Sequence, residues 1–289
     1  MNAPIPHIDF MTHADAEASL KEVAARLRAG TIVPYLGPGL AELSEAAVPM
    51  NPEALAAFFG IKVALPRRAK GNAWAAAQHI ESMKHRSTVT ALMTEAFASP
   101  VGPTALHRYL ATLRLPMIVD TWYDGAMRTA LGERRDWGEV QGITRAGIGE
   151  DRWYRFYDAT GTEADRVAAA GWTTLLYKPH GSVAPAKNFL ISDADYVEVL
   201  TEIDIQTPIP DVVKDRRTER SFVFIGCRFN DQLLRTYARQ VTKRSSTLHY
   251  AIVEPATLSK NELRFLLSQG LTPIAIPLAR AVEILTSAT

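Results

Sequence analysis

The stretch LLYKPHGSV, residues 175 to 183, ends an apolar run on Lys178, Pro179, His180 and Gly181. Imidazole changes charge near neutral pH, so His180 could be a general base or hydrogen-bond partner at the mouth of a pocket. It could equally be a turn histidine whose ring bonds a backbone carbonyl. Three other stretches end in the same way. TIVPYLGPGLAEL runs into Gly37-Pro38-Gly39, PMIVDTWYDGAM into Asp120, Thr121, Trp122 and Asp124, and SFVFIGCRFNDQLL into Gly226, Cys227 and Arg228. An apolar strand, a glycine turn and a helix in succession aim backbone N–H groups at a phosphate. Pro38 removes one such donor, and the same glycines could form an ordinary turn.

The polar groups at these ends carry competing readings. Arg228 has donors arranged for a bidentate phosphate contact, or for a carboxylate of the protein. Trp122 could stack on a ligand ring or pack in the core, and core is the simpler reading of Tyr123. Asp124 and Asp231 each follow a strand-end turn and could cap a helix. Cys227 has no neighbouring base and reads as a small buried residue. The pairs Asp193/Asp195 and Glu202/Asp204 lack a His or Cys companion and read as a solvated helix face. The run KDRRTER, 214 to 220, reads as an exposed helix end.

The surrounding pattern sets the elements that must position these groups. ADAEASLKEVAARLRAG places Leu20, Val23, Ala24 and Leu27 at helical spacing and stops at Gly30. Strands are expected at Ile32 to Leu36, at Met117 to Val119, and within TTLLYKPHGSV, SFVFIG, TLHYAIVE and TPIAIPL, with a helix starting at Leu40. From Pro52 to about Leu113 the pattern is helical. Residues 132 to 170 are charged and glycine-dotted, and irregular structure or short antiparallel strands are expected there. Ser192 or Asp193 should cap a helix over DADYVEVLTEI. The fold class is α/β, a Rossmann-like doubly wound, mostly parallel sheet with a helical insertion. Residues 14–51 and 114–289 would form the nucleotide-binding domain and 52–113 the helical insertion or cap. Ligands of such sheets sit at the carboxyl ends of the strands, where Gly37, Asp120, His180 and Gly226 all fall.

Bulk properties narrow the class. Lys and Arg number 32 against 31 Asp and Glu, so no global field favours nucleic acid or an anionic membrane. No apolar stretch approaches the length of a membrane span, and the N-terminal residues lack the signal-peptide pattern, so a soluble cytoplasmic protein is expected. The single cysteine, Cys227, excludes an intrachain disulfide and a cysteine-cluster zinc site. A protein partner and a homo-oligomer both remain open.

The four strand ends, in this order, resemble the motif series of the SIR2-like (sirtuin-related) family, in its bacterial zinc-less branch. YLGPGLAELS stands at the family's Gly-Ala-Gly turn and IVDTWYDGAM at its Thr-x-Asn-x-Asp element. LYKPHGSV is similar to its Lys-x-His-Gly element, and FVFIGCRFNDQLL to its Phe-x-Gly-x-Ser-x-x-Asp element. The resemblance spans roughly 16 to 280. It implies NAD or ADP-ribose laid across the strand ends, with contacts from Gly37, Pro38, Gly39, Thr121, Trp122, Asp124, Gly181, Gly226, Cys227 and Arg228, His180 acting on a ribose hydroxyl, and no zinc.

Three departures bear on activity. Trp122 stands where the family has Asn, Leu40 and Ala41 where a polar residue follows the glycine turn, and Arg228 where the family has Ser. Groups that act as a unit lose most of their rate when one is removed. The expectation is a nucleotide-binding protein with weak or no turnover, sensory or regulatory in role. An NAD glycohydrolase releasing nicotinamide, as in bacterial defence, is the alternative. A third reading is an interaction scaffold whose old pocket is plugged by Trp122. Protein deacylation is disfavoured for want of the four-cysteine zinc ribbon.

Overall fold

The computed structural model of the protein describes residues 13–45, 47–143, 153–205 and 209–287. Helix α1 (His13–Arg28) leads into β1 (Ile32–Leu36) and a short 3-10 turn, Pro38–Leu43. Helices α2 (Pro52–Lys62), α3 (Ala73–Lys84), α4 (Arg86–Ala96) and α5 (Ala105–Thr112) follow without an intervening strand. Next come β2 (Met117–Asp120), α6 (Ala126–Ala130), β3 (Trp137–Gly142), β4 (Tyr154–Asp158), β5 (Glu163–Ala164) and β6 (Thr174–Lys178). A small hairpin of β7 (Gly181–Ser182) and β8 (Asn188–Phe189) precedes α7 (Asp193–Ile205) and α8 (Asp211–Arg217). The chain closes with β9 (Ser221–Ile225), α9 (Gln232–Thr242), β10 (His249–Val253), α10 (Lys260–Ser268), β11 (Leu271–Ala275) and α11 (Leu278–Ser287).

The main sheet runs β11-β10-β9-β1-β2-β6-β3-β4-β5. From β11 to β3 every neighbouring pair is parallel, and β4 and β5 extend it antiparallel. This is the doubly wound α/β architecture expected from the alternation of apolar strands and helices. The stretch 132–170 differs from its expectation in one respect, because β3 enters the main sheet parallel to β6 (Trp137↔Thr174 to Gln141↔Lys178). Strand β1 pairs with β2 on one side and with β9 on the other, which makes the β1/β9 boundary the topological switch point.

Side chains alternate across the sheet as a strand period of two requires. Val33 and Tyr35 face a core with Phe222, Phe224, Tyr237 and Leu266, while Ile32 and Leu36 face one with Leu20, Leu27, Leu110 and Leu285. Helix α5 packs in that second layer with α1 and α11. Helices α2, α3 and α4 instead share a core of their own with Trp122, Tyr123 and Phe97. Two readings of charge are corrected by packing. Asp195 is buried, not solvated: it accepts from Arg86 Nη1 at 2.7 Å and from the N–H groups of Ile191 and Ser192, while Ser192 caps α7. Glu202 and Asp204 lie where side chains are outside the described set. In the KDRRTER run, Arg217 is buried and donates to Gln240 O and Val241 O, the C-terminal carbonyls of α9.

Candidate functional site

The glycines at the switch point fit each other before they fit any ligand. Gly37 N–H donates to Ile225 O and Gly39 N–H to Gly226 O, both at 2.9 Å. A Cβ on Gly37 would lie 2.3 Å from Gly226 O, and one on Gly39 2.9 Å from the same atom. Gly226 itself holds φ +67°, the left-handed region, and its own Cβ would meet Leu40 N at 2.8 Å. The turn after β1 therefore interlocks with the turn after β9. This corrects the expected phosphate cradle: the donors of Gly37 and Gly39 are spent, Pro38 has none, and Leu40 N–H returns to Gly37 O at 3.3 Å. The expected helix from Leu40 is the 3-10 turn, too short to build a dipole. Among the described residues nothing accepts the N–H groups of Cys227 and Arg228, so the donors at this end belong to the β9 turn.

A crevice of about 330 Å³ opens above the interlock. Its walls include Pro38, Gly39, Gly226, Cys227 and Arg228, together with residues the sequence did not flag: Glu42, Glu53, Glu254 and Thr257. The volume is at the small end of ligand sites, roughly 300–1,000 Å³. Glu254 follows directly on β10, so β9, Gly226, α9, β10 and Glu254 make a βαβ unit with a glycine turn at one strand end and an acid at the next. That is the arrangement by which dinucleotide folds seat a ribose. Arg228 is held by Glu262, through Nε–Oε1 at 2.8 Å and Nη2–Oε2 at 3.1 Å, and also donates to Thr257 O at 2.9 Å. Burial opposes ionisation of Glu262, but hydrogen bonds from Arg228 and from the N–H groups of Ser259 and Phe229 outweigh it and hold the carboxyl at about 2.

Behind the crevice lies an inner cavity of about 20 Å³, lined by Tyr35, Thr121, His180 and the shared walls Pro38, Cys227 and Arg228. That is room for about one water. His180 is buried, with Nδ1 3.1 Å from Tyr196 Oη and its ring 4.6 Å from that of Tyr237. Its Nε2 is buried without a partner among the described residues. Burial, reinforced by the Lys178 charge, pushes the imidazole down to about 3, so it is neutral at physiological pH. Lys178 Nζ donates to Asp120 Oδ2 at 2.8 Å and Asp124 O at 2.9 Å, an ion pair sealed beneath the strand ends. Thr121 Oγ1 donates to Leu36 O at 2.8 Å.

The remaining candidates lie elsewhere. Trp122 is off both cavities: its Nε1 donates to Pro49 O at 3.0 Å, and its ring packs on Phe97 and Tyr123 in the core of α2 to α4. Asp124 is buried and accepts from Ala126 N–H at 2.8 Å at the start of α6, while burial and then the Asp120 charge raise its carboxyl to about 6. Gly181 has φ +75° and turns into the β7–β8 hairpin, where a Cβ would meet Asn188 O at 2.2 Å. Cys227 is half-buried beside Tyr35 O, and burial pushes its thiol up, away from thiolate chemistry. Asp231 accepts from Leu233 N–H at 2.7 Å, capping α9.

A parallel sheet wound on both faces, with an open crevice at the switch point and a glycine-to-acid βαβ unit on its rim, defines a Rossmann-like α/β protein. Residues 116–274, more than half of the chain, match the family model of the SIR2-like domain. The chain belongs to the SIR2-like family, and with membership comes a general relation to NAD. No curated protein matches the sequence significantly. Among the described residues, no cluster of His, Cys, Asp or Glu could hold a metal ion, and no helix is long and apolar enough to cross a membrane.

Proposed function

We propose that the protein binds NAD, ADP-ribose or a related adenine nucleotide in the β1/β9 crevice, with weak or no turnover, as a sensory or regulatory component. The observation that carries this reading is the asymmetry of the two cavities. The outer crevice has room for an adenosine moiety, with Glu254 placed to accept from ribose hydroxyls and the β9 turn able to approach closely because Gly226 has no side chain. The N–H groups of Cys227 and Arg228 are the donors a phosphate would meet. The inner cavity, where the family likeness would put the nicotinamide half, is lined by Tyr35, His180 and Phe229 and has room for about one water. An imidazole that titrates near 3 is also a poor proton acceptor at neutral pH. Both features favour binding over chemistry. Helices α2 to α4, which bury Trp122, act in this reading as a cap.

Isothermal titration of the full chain with ADP-ribose and with NAD tests the proposal. Saturable heat with ADP-ribose, and NAD binding no tighter than ADP-ribose, is the expected result. No heat with either, at protein concentrations near 0.1 mM taken as roughly typical of weak sites, would refute it and favour the scaffold reading. The NAD glycohydrolase alternative has its own support in the bare Nε2 of His180. It requires free nicotinamide from NAD, lost in His180→Ala.

A further inference from the structure

The ring of His180 can carry its proton on either nitrogen, and its neighbours distinguish the two forms. Tyr123 Oη lies 2.6 Å from Leu190 O, an acceptor only, so the Tyr123 proton is committed there. Tyr196 Oη lies 3.3 Å from Tyr123 Oη and 3.1 Å from His180 Nδ1. Trp74 packs edge-on against Tyr196, and its indole can only donate. The Tyr237 hydroxyl, 3.5 Å from Pro179 O, has its own acceptor.

If the proton is on Nε2, Tyr196 must give its own to Nδ1. The two tyrosine oxygens then face each other 3.3 Å apart with neither hydroxyl proton between them, a lone-pair contact that the other tautomer avoids. With the proton on Nδ1 every hydrogen is used once, in a chain from His180 Nδ1–H to Tyr196 Oη, from Tyr196 O–H to Tyr123 Oη, and from Tyr123 O–H to Leu190 O. What remains is a lone pair on Nε2.

We infer that Tyr196 and Tyr123 are positioning residues that lock His180 in the Nδ1–H form, so that Nε2 offers a lone pair to a ligand hydroxyl at the inner cavity. A neutral hydroxyl chain does here what a carboxylate does behind the histidine of a catalytic triad, setting tautomer and orientation without taking the proton. The use assigned to the lone pair rests on the nucleotide-binding reading; the tautomer does not.

The test is two-bond 1H–15N correlation of full-length, ligand-free protein labelled at the histidine ring nitrogens, at pH 7, with His180 assigned by its loss in His180→Gln. The expected spectrum has a pyrrole-type Nδ1 and a pyridine-type Nε2. In Tyr123→Phe, Tyr196 loses its outward acceptor and must donate to Nδ1. The two shifts should then exchange, although the Tyr123 hydroxyl does not touch the ring. Tyr196→Phe should lose the locked form as well. A wild-type ring protonated on Nε2 overturns the inference without recourse to any variant, and so does an unmoved tautomer in folded Tyr123→Phe. Failure of the crevice to bind ADP-ribose would defeat the nucleotide reading and leave this spectrum unchanged.

Discussion

Replacing Gly37 by alanine adds one methyl group at the point where two strand-end turns meet. The backbone of Gly37, φ −101° and ψ 172°, is open to any residue, so the cost is steric and not conformational. The new Cβ would lie 2.3 Å from Gly226 O and 2.6 Å from Cys227 Cα, both backbone atoms that no rotamer change can remove. The turns would have to part by about 1 Å to reach van der Waals separation. Forcing an extra carbon into a packed position costs roughly 1–3 kcal/mol. The same movement strains the Gly37 and Gly39 hydrogen bonds to β9, each worth about 1 kcal/mol net. The sum is about 4 kcal/mol, which at roughly 2–4 °C per kcal/mol for a domain of this size lowers Tm by about 10 °C. Thermal unfolding followed by far-UV circular dichroism reads this directly, with Gly102→Ala as the control, because a Cβ there meets nothing within 4 Å. Equal Tm values for the two variants would refute the interlock.

Lys178→Met leaves the Asp120 carboxylate buried without its partner and should cost about 4 kcal/mol in denaturant unfolding. Adding Asp120→Asn should recover part of that loss. For Glu262, the folded-state carboxyl at about 2 lies below its ordinary 4.5, so its contribution is complete above about pH 4.5 and is lost as pH falls toward 2. Unfolding midpoints of the wild type should therefore drop between pH 5 and 3 by more than those of Glu262→Gln. Glu254→Gln should weaken ADP-ribose binding about tenfold, since a hydrogen bond to a charged group is worth roughly 1.5–3 kcal/mol. Glu254→Arg should favour 2′-phosphorylated dinucleotides, read by competition calorimetry; unchanged preference would place the ribose elsewhere.

The sheet was legible because its central strands are buried on both faces and read as unbroken apolar runs ending in glycine or a polar cluster. Strand β3 escaped for the opposite reason. Its sequence, WGEVQG, looks polar, yet Glu139 is neutralised by Arg128, Gln141 donates to Glu139 Oε1 at 2.6 Å, and Gly138 makes room for the ring of Trp172. Arg128 and Trp172 both come from outside the strand's own stretch of sequence. The site divides in the same way. Local order put Gly37, His180 and Gly226 at strand ends, because a turn's position follows from the strand before it. The fate of their hydrogen-bonding groups depended on contacts across the fold: Gly39 on Gly226, Arg228 on Glu262, His180 on Tyr196. Glu254 went unflagged because a lone acid after a strand is unremarkable until its helix and glycine turn are placed beside it.

The clasp between Arg228 and Glu262 has a mechanical consequence. Two of the three guanidinium nitrogens are committed to a carboxylate that also closes the N-terminus of α10 through Ser259 and secures the start of the β9 loop through Phe229. Any anion that claims Arg228 must do so in competition with Glu262. Occupancy of the crevice would then be exchanged against the order of a helix that abuts the edge strand β11.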